Sequence, residues 1–251
     1  MPTRHVSPAQ TRYDPQFVRQ LFDEMSGSYD VVNTLTSFGF SVRWRNQSVA
    51  ALCLDPLRPD VRVADLMCGQ GESWRALQQR LPPGSVVEAV DFSPAMCGRA
   101  AAHAAERAGH TTLSVRVSEQ DALNTSFPDA SMDAVICAFG LKTLSPADYA
   151  RFAAEIYRLL RPGGSFSVTE VSVPDRWWLR APYLWYLRRV IPHLGRLLLG
   201  NPENYRMLGV YTHSFGSCAH ARPAFEAAGL QVTPHTYFFG CATGLSGTRP
   251  A

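Results

Sequence analysis

"VADLMCGQGES", residues 63–73, is the stretch that decides the fold. The apolar run VRVADL, 61–66, carries an acid near its end, and Gly69 and Gly71 follow closely. A short β-branched run of this kind reads as a buried strand. Glycine takes positive φ freely and lacks the Cβ that would hold a ligand off the main chain. The helix expected from about Glu72 to Arg80 aims free N–H groups at whatever lies above the turn. Strand, glycine turn and helix in that order are the opening unit of an α/β sheet.

The chain on either side continues the pattern. SVVEAVDF (85–92) reads as a second strand, and Ser93-Pro94 as N-cap and first turn of an alanine-rich helix to about Gly109. TLSVRVS (112–118) and MDAVICAFG (132–140) are the third and fourth strands. Ser145-Pro146 opens a helix to Leu160, RPGG (161–164) is a stop-and-turn signal, and SFSVTEVSV (165–173) is the fifth strand. LQVTPHTYFFG (230–240) and CATGLSGT (241–248) bring the total to seven, after a helix over about 219–228. This alternation predicts an α/β fold with a doubly wound, mostly parallel seven-stranded sheet and helices on both faces.

Two segments break the rhythm. Residues 1–13 read as a loose arm, and 14–54 have helical spacing, so 1–55 is expected to form an arm and helical cap. Residues 174–216 read as inserted helices in a core of 56–251.

Composition narrows the function. With 251 residues and 46% apolar content, one sizeable core is expected. A net charge of +3, with no arginine run interleaved with aromatics, gives no reason to expect nucleic acid. The six cysteines are scattered without a CxxC pair, so no metal site is expected, and reduced thiols in a cytoplasmic protein are. The first residues lack the apolar region of a signal peptide, and no apolar run reaches the roughly 18 residues of a membrane span. A homodimer is left open.

The acids at the strand ends select the cofactor. A dinucleotide site needs a third glycine for close helix packing, but that place holds Glu72 or Trp74, depending on the glycine counted from. A pyrophosphate would also sit poorly beside Asp65 and Glu72. The expected ligand carries a positive charge and a ribose but no phosphate, which fits S-adenosylmethionine. Its ammonium would face Asp65, directly or through water. Asp91 would accept both ribose hydroxyls, and Asp121 with the N–H of Ala122 would hold the adenine edge. Met67, Phe92 and Ala138 complete the cofactor-facing set with Gly69 and Gly71. One acid at a strand end is an ordinary loop cap; three at successive ends after such a turn are informative.

At this point the chain resembles the ubiquinone/menaquinone biosynthesis C-methyltransferases, a branch of the class I S-adenosylmethionine-dependent methyltransferases. LFDEMSGSYDVVNTLTSFGFSVRWR (21–45), FPDASMDAVICAFGLKTL (127–144) and LLRPGGSFSVTEVS (159–172) are similar to its signatures. IPHLGRLLLG (191–200) and NYRMLG (204–209) resemble its inserted helices. The resemblance implies methyl transfer to an aromatic, phenolic or quinone-like acceptor, more often at carbon than at oxygen, and places Tyr29 near cofactor and acceptor. The chain departs from the pattern at Met67, where the family usually has alanine. It departs again at Lys142-Thr143 for Arg-Asn, at Ser41-Val42 for His-Arg with Arg43 shifted by one, and at Tyr211 for serine. Met67 either crowds the amino-acid end of the cofactor or turns into the core.

Methyl transfer needs alignment and exclusion of water, and a ring carbon is nucleophilic when an adjacent phenol is ionised. Lys142, the chain's single lysine, follows strand four, and is a candidate to stabilise a phenolate or act as base. Tyr29, His193 and His213 are the other catalytic candidates, and Glu170 either reaches the pocket or is a buried hydrogen-bonded acid. The aromatic and arginine-rich segment 176–200 reads as an apolar lid, with contact to a membrane surface as its extension. Two rivals keep the fold: a cofactor-binding enzyme of other chemistry, such as a cyclisation or substitution, and a non-catalytic binding module.

Overall fold

The inner parallel strands form where the apolar run is long enough to be buried on both faces, whereas the edge strand Ser114–Glu119 has no buried residue. In the computed structural model, which describes residues 12–27, 34, 37–55, 58–191 and 202–251, β1 (Arg62–Leu66) lies inside the sheet, beside its central strand. Val63, Ala64 and Leu66 are wholly buried. The other strands are β2 (Val86–Asp91), β3 (Ser114–Glu119), β4 (Met132–Ala138), β5 (Leu160–Val171), β6 (Gln231–Tyr237) and β7 (Ala242–Thr248). Their order is β3-β2-β1-β4-β5-β7-β6. β1 to β5 are parallel and β7 is antiparallel to both its neighbours. The order reverses between β1 and β4, and ligands of such sheets bind outside the strand ends at that crevice.

Helices cover the sheet: α1 (Pro15–Met25), α2 (Phe40–Ala50), α3 (Trp74–Arg80), α4 (Pro94–Arg107), α5 (Asp148–Leu159), α6 (Trp177–Trp185), α7 (Pro202–Phe215) and α8 (Arg222–Ala227). Ser93 caps α4, its Oγ accepting from the N–H of Met96 at 3.1 Å. The Asp14 carboxylate accepts from Gln16 and Phe17 and caps α1.

α1 roofs the strand ends. Val18, Leu21 and Met25 pack with Met96 of α4 and Tyr211 of α7. Asp23 accepts from Ser93 Oγ at 2.5 Å and from the N–H of Ala95 at 3.3 Å. Gln70 of the glycine turn donates to the Ser26 carbonyl at 2.6 Å. The Tyr211 hydroxyl donates to the carbonyl of Arg12 and fixes the start of the roof.

One expectation is corrected. RPGG (161–164) ends the preceding helix at Leu159 as expected, but instead of a free turn it lies within β5. The register against β4 shifts between Met132 and Ala134, and Gly163 takes φ 77°. The N–H of Gly163 bonds to the Arg249 carbonyl and the N–H of Arg249 to the Gly164 carbonyl, both at 2.9 Å. Pairing with the far end of the chain thus extends a turn sequence into a strand. Among the described residues no helix is long and apolar enough to cross a membrane, and no cluster of three or more His, Cys, Asp or Glu is placed to hold a metal ion.

Candidate active site

The glycine turn is shaped by Trp74. Gly71 has φ 88°, and a Cβ there would stand 2.5 Å from the Trp74 ring. The indole fills the space a third glycine would leave open. Its Nε1–H donates to Asp65 Oδ2 at 3.0 Å, and its ring stacks on His103 with centroids 5.3 Å apart. Asp65 is therefore held from beneath the turn.

Three carboxylates meet here. Burial raises the pKa of Asp65 to about 7 against the pull of the Trp74 donor, with Glu72 adding to the rise. Burial likewise raises Asp91 to about 6, opposed by N–H donors from Ser93 and Gly69. Gly69 reaches Asp91 Oδ2 at 2.9 Å and Ser93 reaches Oδ1 at 3.0 Å. The facing cation is Arg45, 3.9 Å from Glu72 and itself buried. A nearly dry site holding three acids against one guanidinium favours a cationic ligand.

Two lobes lie above the turn. The smaller, of about 60 Å³, is lined by Arg45, Gly69, Glu72, Asp91, Ala138 and Phe139, among others. The larger, of about 170 Å³, is lined by Tyr13, Asp121, Ala122 and Leu123, among others. Val18, Met67, Phe92 and Thr143 border both. Met67 sits between them at φ 56°, and its sulfur lies where a side chain on Gly140 would begin. It is a shared wall of the lobes, although part of it also packs on the core.

Most of the cofactor-facing residues read from the sequence converge here. Met67, Gly69, Asp91, Phe92, Asp121, Ala122 and Ala138 all line a lobe. Asp65 and Gly71 line neither, so Asp65 acts on the site as a buried charge below its floor. Asp121 spends one carboxylate oxygen on the N–H of Leu123 at 2.9 Å.

The two described catalytic candidates lie away from the lobes. Lys142 is turned inward and only 4% exposed. Its Nζ donates to Glu170 Oε1 at 2.7 Å and to the Phe139 carbonyl at 2.9 Å. The expectation that Lys142 meets a phenolate is corrected: Glu170 is a wholly buried acid that draws the ammonium away from both lobes. His213 is exposed on α7, its pKa lowered by partial burial and by Arg188 and Arg180. It lines neither lobe. Tyr29 and His193 lie outside the described residues.

Sequence reading missed Arg45 and Phe139. Phe139, at φ 70°, lies with its ring 4.8 Å from the Arg45 guanidinium and 6.0 Å from Lys142 Nζ. The signal for Arg45 was its place beside Trp44, Ser48 and Val49 on the buried side of α2.

The sequence model of the ubiE/COQ5 methyltransferase family matches residues 10–248. A demethylmenaquinone methyltransferase of Thermus thermophilus is 37% identical over 230 residues, 92% of this chain and 100% of that protein. A ubiquinone/menaquinone biosynthesis C-methyltransferase of Geobacter sulfurreducens is 29% identical, over 92% of this chain and 88% of its own. A solved SAM-dependent methyltransferase of Thermotoga maritima, titled a possible histamine N-methyltransferase, superposes with a TM-score of 0.61 at 18% identity. It covers 92% of this chain and 99% of its own, and shares the fold.

Proposed function

The chain belongs to the ubiE/COQ5 methyltransferase family, and from that membership we propose that it methylates a ring carbon of a quinol-like acceptor with S-adenosylmethionine as donor. The observation that carries the cofactor half is the acid cluster of Asp65, Glu72 and Asp91 at the strand tips. The residues fit a cationic, phosphate-free nucleoside, since each Asp91 oxygen already takes one backbone N–H and keeps a lone pair for a hydroxyl. On this reading Asp91 holds the ribose, Asp121 and Ala122 the adenine edge, and Gly69 with Glu72 the amino-acid end. Bound there, the cofactor supplies an electrophilic methyl on a sulfonium.

The chain's own share is alignment and dryness. α1 brings Val18 and Phe22 over the lobes and excludes water. Lys142 is a positioning residue: with Glu170 it fixes the Phe139–Gly140 bend that walls the smaller lobe. On this reading the described parts of 1–55 serve as arm and cap, and those of 174–216 as a lid, on a core of 56–251. The acceptor assignment rests on the relatives, which are named as quinone-pathway methyltransferases. Neither of these relatives supports the rival readings, other chemistry on this fold or a silent binding module.

The test pairs methyl-labelled donor with demethylmenaquinone and with simple phenols. The expected result is label on a ring carbon and release of S-adenosylhomocysteine. Asp91→Ala should weaken donor binding by roughly 1–3 kcal/mol, the effect of removing a charged hydrogen-bond acceptor. Label on oxygen would overturn the carbon assignment, and no calorimetric signal with either form of the cofactor would overturn the whole reading.

A further inference from the structure

Six large aromatic residues stand in solvent: Phe38, Trp177, Trp178, Trp185, Phe238 and Phe239, between 47% and 84% exposed. They come from three distant parts of the chain, and ring contacts join those parts. Trp178 packs edge-on to Phe239 at 6.1 Å, Phe238 and Phe239 are neighbours at 5.5 Å, and Phe38 lies 5.8 Å from Tyr186. α6 has no buried residue at all, although it carries three tryptophans. Core packing therefore does not explain these side chains.

The backbone adds a second observation. Phe38, Phe238 and Phe239 take φ of 50°, 41° and 56°. Left-handed geometry is strained for a side chain with a Cβ, and aromatic residues seldom adopt it. Here strained backbone holds three rings outward, and strain of that kind gathers at working surfaces.

Charge indicates what covers the face. Arg176, Arg180 and Arg188 are exposed on the same segment, and Asp175 is the single acid between 174 and 191. Tryptophans rimmed by arginines match a bilayer interface, where amphipathic rings sit among headgroups and cations meet anionic lipid. The rings also lead inward. Phe238 lies 4.2 Å from Phe40, Phe40 is 5.6 Å from Trp44, and Trp44 is 6.4 Å from Phe139, which lines the smaller lobe. An unbroken aromatic track runs from the exposed face to the cavity wall.

We propose that this face docks on an anionic bilayer surface and that the track opens the candidate active site toward the lipid. Docking goes beyond the methyl-transfer reading and needs neither donor nor acceptor.

The experiment is co-sedimentation of the full chain with phosphatidylcholine vesicles, with and without phosphatidylglycerol, at low and high salt. The parent should pellet with the anionic vesicles. Trp178→Ser combined with Phe239→Ser should weaken partitioning about tenfold or more at every salt concentration, the mark of a lost apolar contribution. Arg180→Glu combined with Arg188→Glu should weaken it chiefly at low salt, where charge is unscreened. Calorimetry with S-adenosylmethionine should give parental affinity in both variants and so verify the fold. Docking is overturned if the parent stays in the supernatant, or if the aromatic variant pellets like the parent. A concentration-dependent dimer abolished by the aromatic substitutions would overturn it too, since a second copy would then be the occupant.

Discussion

Replacing Lys142 with methionine should destabilise the fold severely while sparing the cofactor lobes. Glu170 is wholly buried, and its Oε1 takes both Lys142 Nζ and the N–H of Val171 at 2.7 Å. Its Oε2 takes the N–H of Lys142 at 3.0 Å. Breaking a buried pair from one side costs roughly 3–5 kcal/mol, because a charge is stranded in low dielectric. Both backbone donors survive the substitution and still solvate the carboxylate, so the lower end, about 3 kcal/mol, is expected. For a chain of this size that corresponds to a fall in Tm of roughly 6–12 °C. Adding Glu170→Gln removes the stranded charge, and the pair should then couple by about 1.5 kcal/mol or more. The assay is urea unfolding of the four proteins by circular dichroism, with midpoints compared at constant m. A single variant within about 0.5 kcal/mol of the parent would refute the reasoning, since surface substitutions behave that way. Donor affinity should hold near the parental value while turnover drops, because Phe139 loses the ammonium on its carbonyl.

Two further outcomes follow from the acid cluster and from Met67. The folded-state pKa values of Asp65 and Asp91, about 7 and about 6, lie above the ordinary 3.8. Their contribution to stability is therefore full below 3.8 and is lost progressively as pH rises from there to about 6 and 7, while affinity for a cationic donor rises as both acids ionise near the top of that window. Asp65→Asn should unfold at higher temperature than the parent at pH 8 and bind the donor more weakly; equal Tm values there would show that the buried charge costs nothing. Met67→Gly relieves a left-handed strain of about 1–2 kcal/mol, which offsets lost thioether packing, so stability should change little. Removing the wall between the lobes should tighten donor binding by calorimetry, and severalfold weaker binding would show the thioether to be a ligand contact.

The sheet was legible because its signals are local. The buried runs, the Ser93 cap and the glycine turn each depend on neighbours in sequence. RPGG was half legible: it ends the helix at Leu159, but its strand partner is Arg249, some ninety residues away. Lys142 misled for a related reason: its position after β4 was right, but its direction is set by Glu170 on the next strand. The acids at the strand tips were legible from spacing alone. Their environment was not, because the Trp74 donor under Asp65 and the Arg45 guanidinium over Glu72 come from helices whose packing the spacing does not encode. The outward aromatic face is assembled from Phe38, α6 and the link between β6 and β7, and no one segment announces it.

The placing of the five tryptophans separates two optical signals. Trp44 and Trp74 are buried, one beside Phe139 and the other bonded to Asp65, while Trp177, Trp178 and Trp185 stand in water. Emission from the first two is expected at the blue edge, and that of Trp74, bonded to Asp65, should follow the protonation of the pocket floor. Emission from the other three falls at the red edge and follows whatever wets or covers α6. The unlabelled protein thus carries one fluorescent reporter for its interior and another for its outer face.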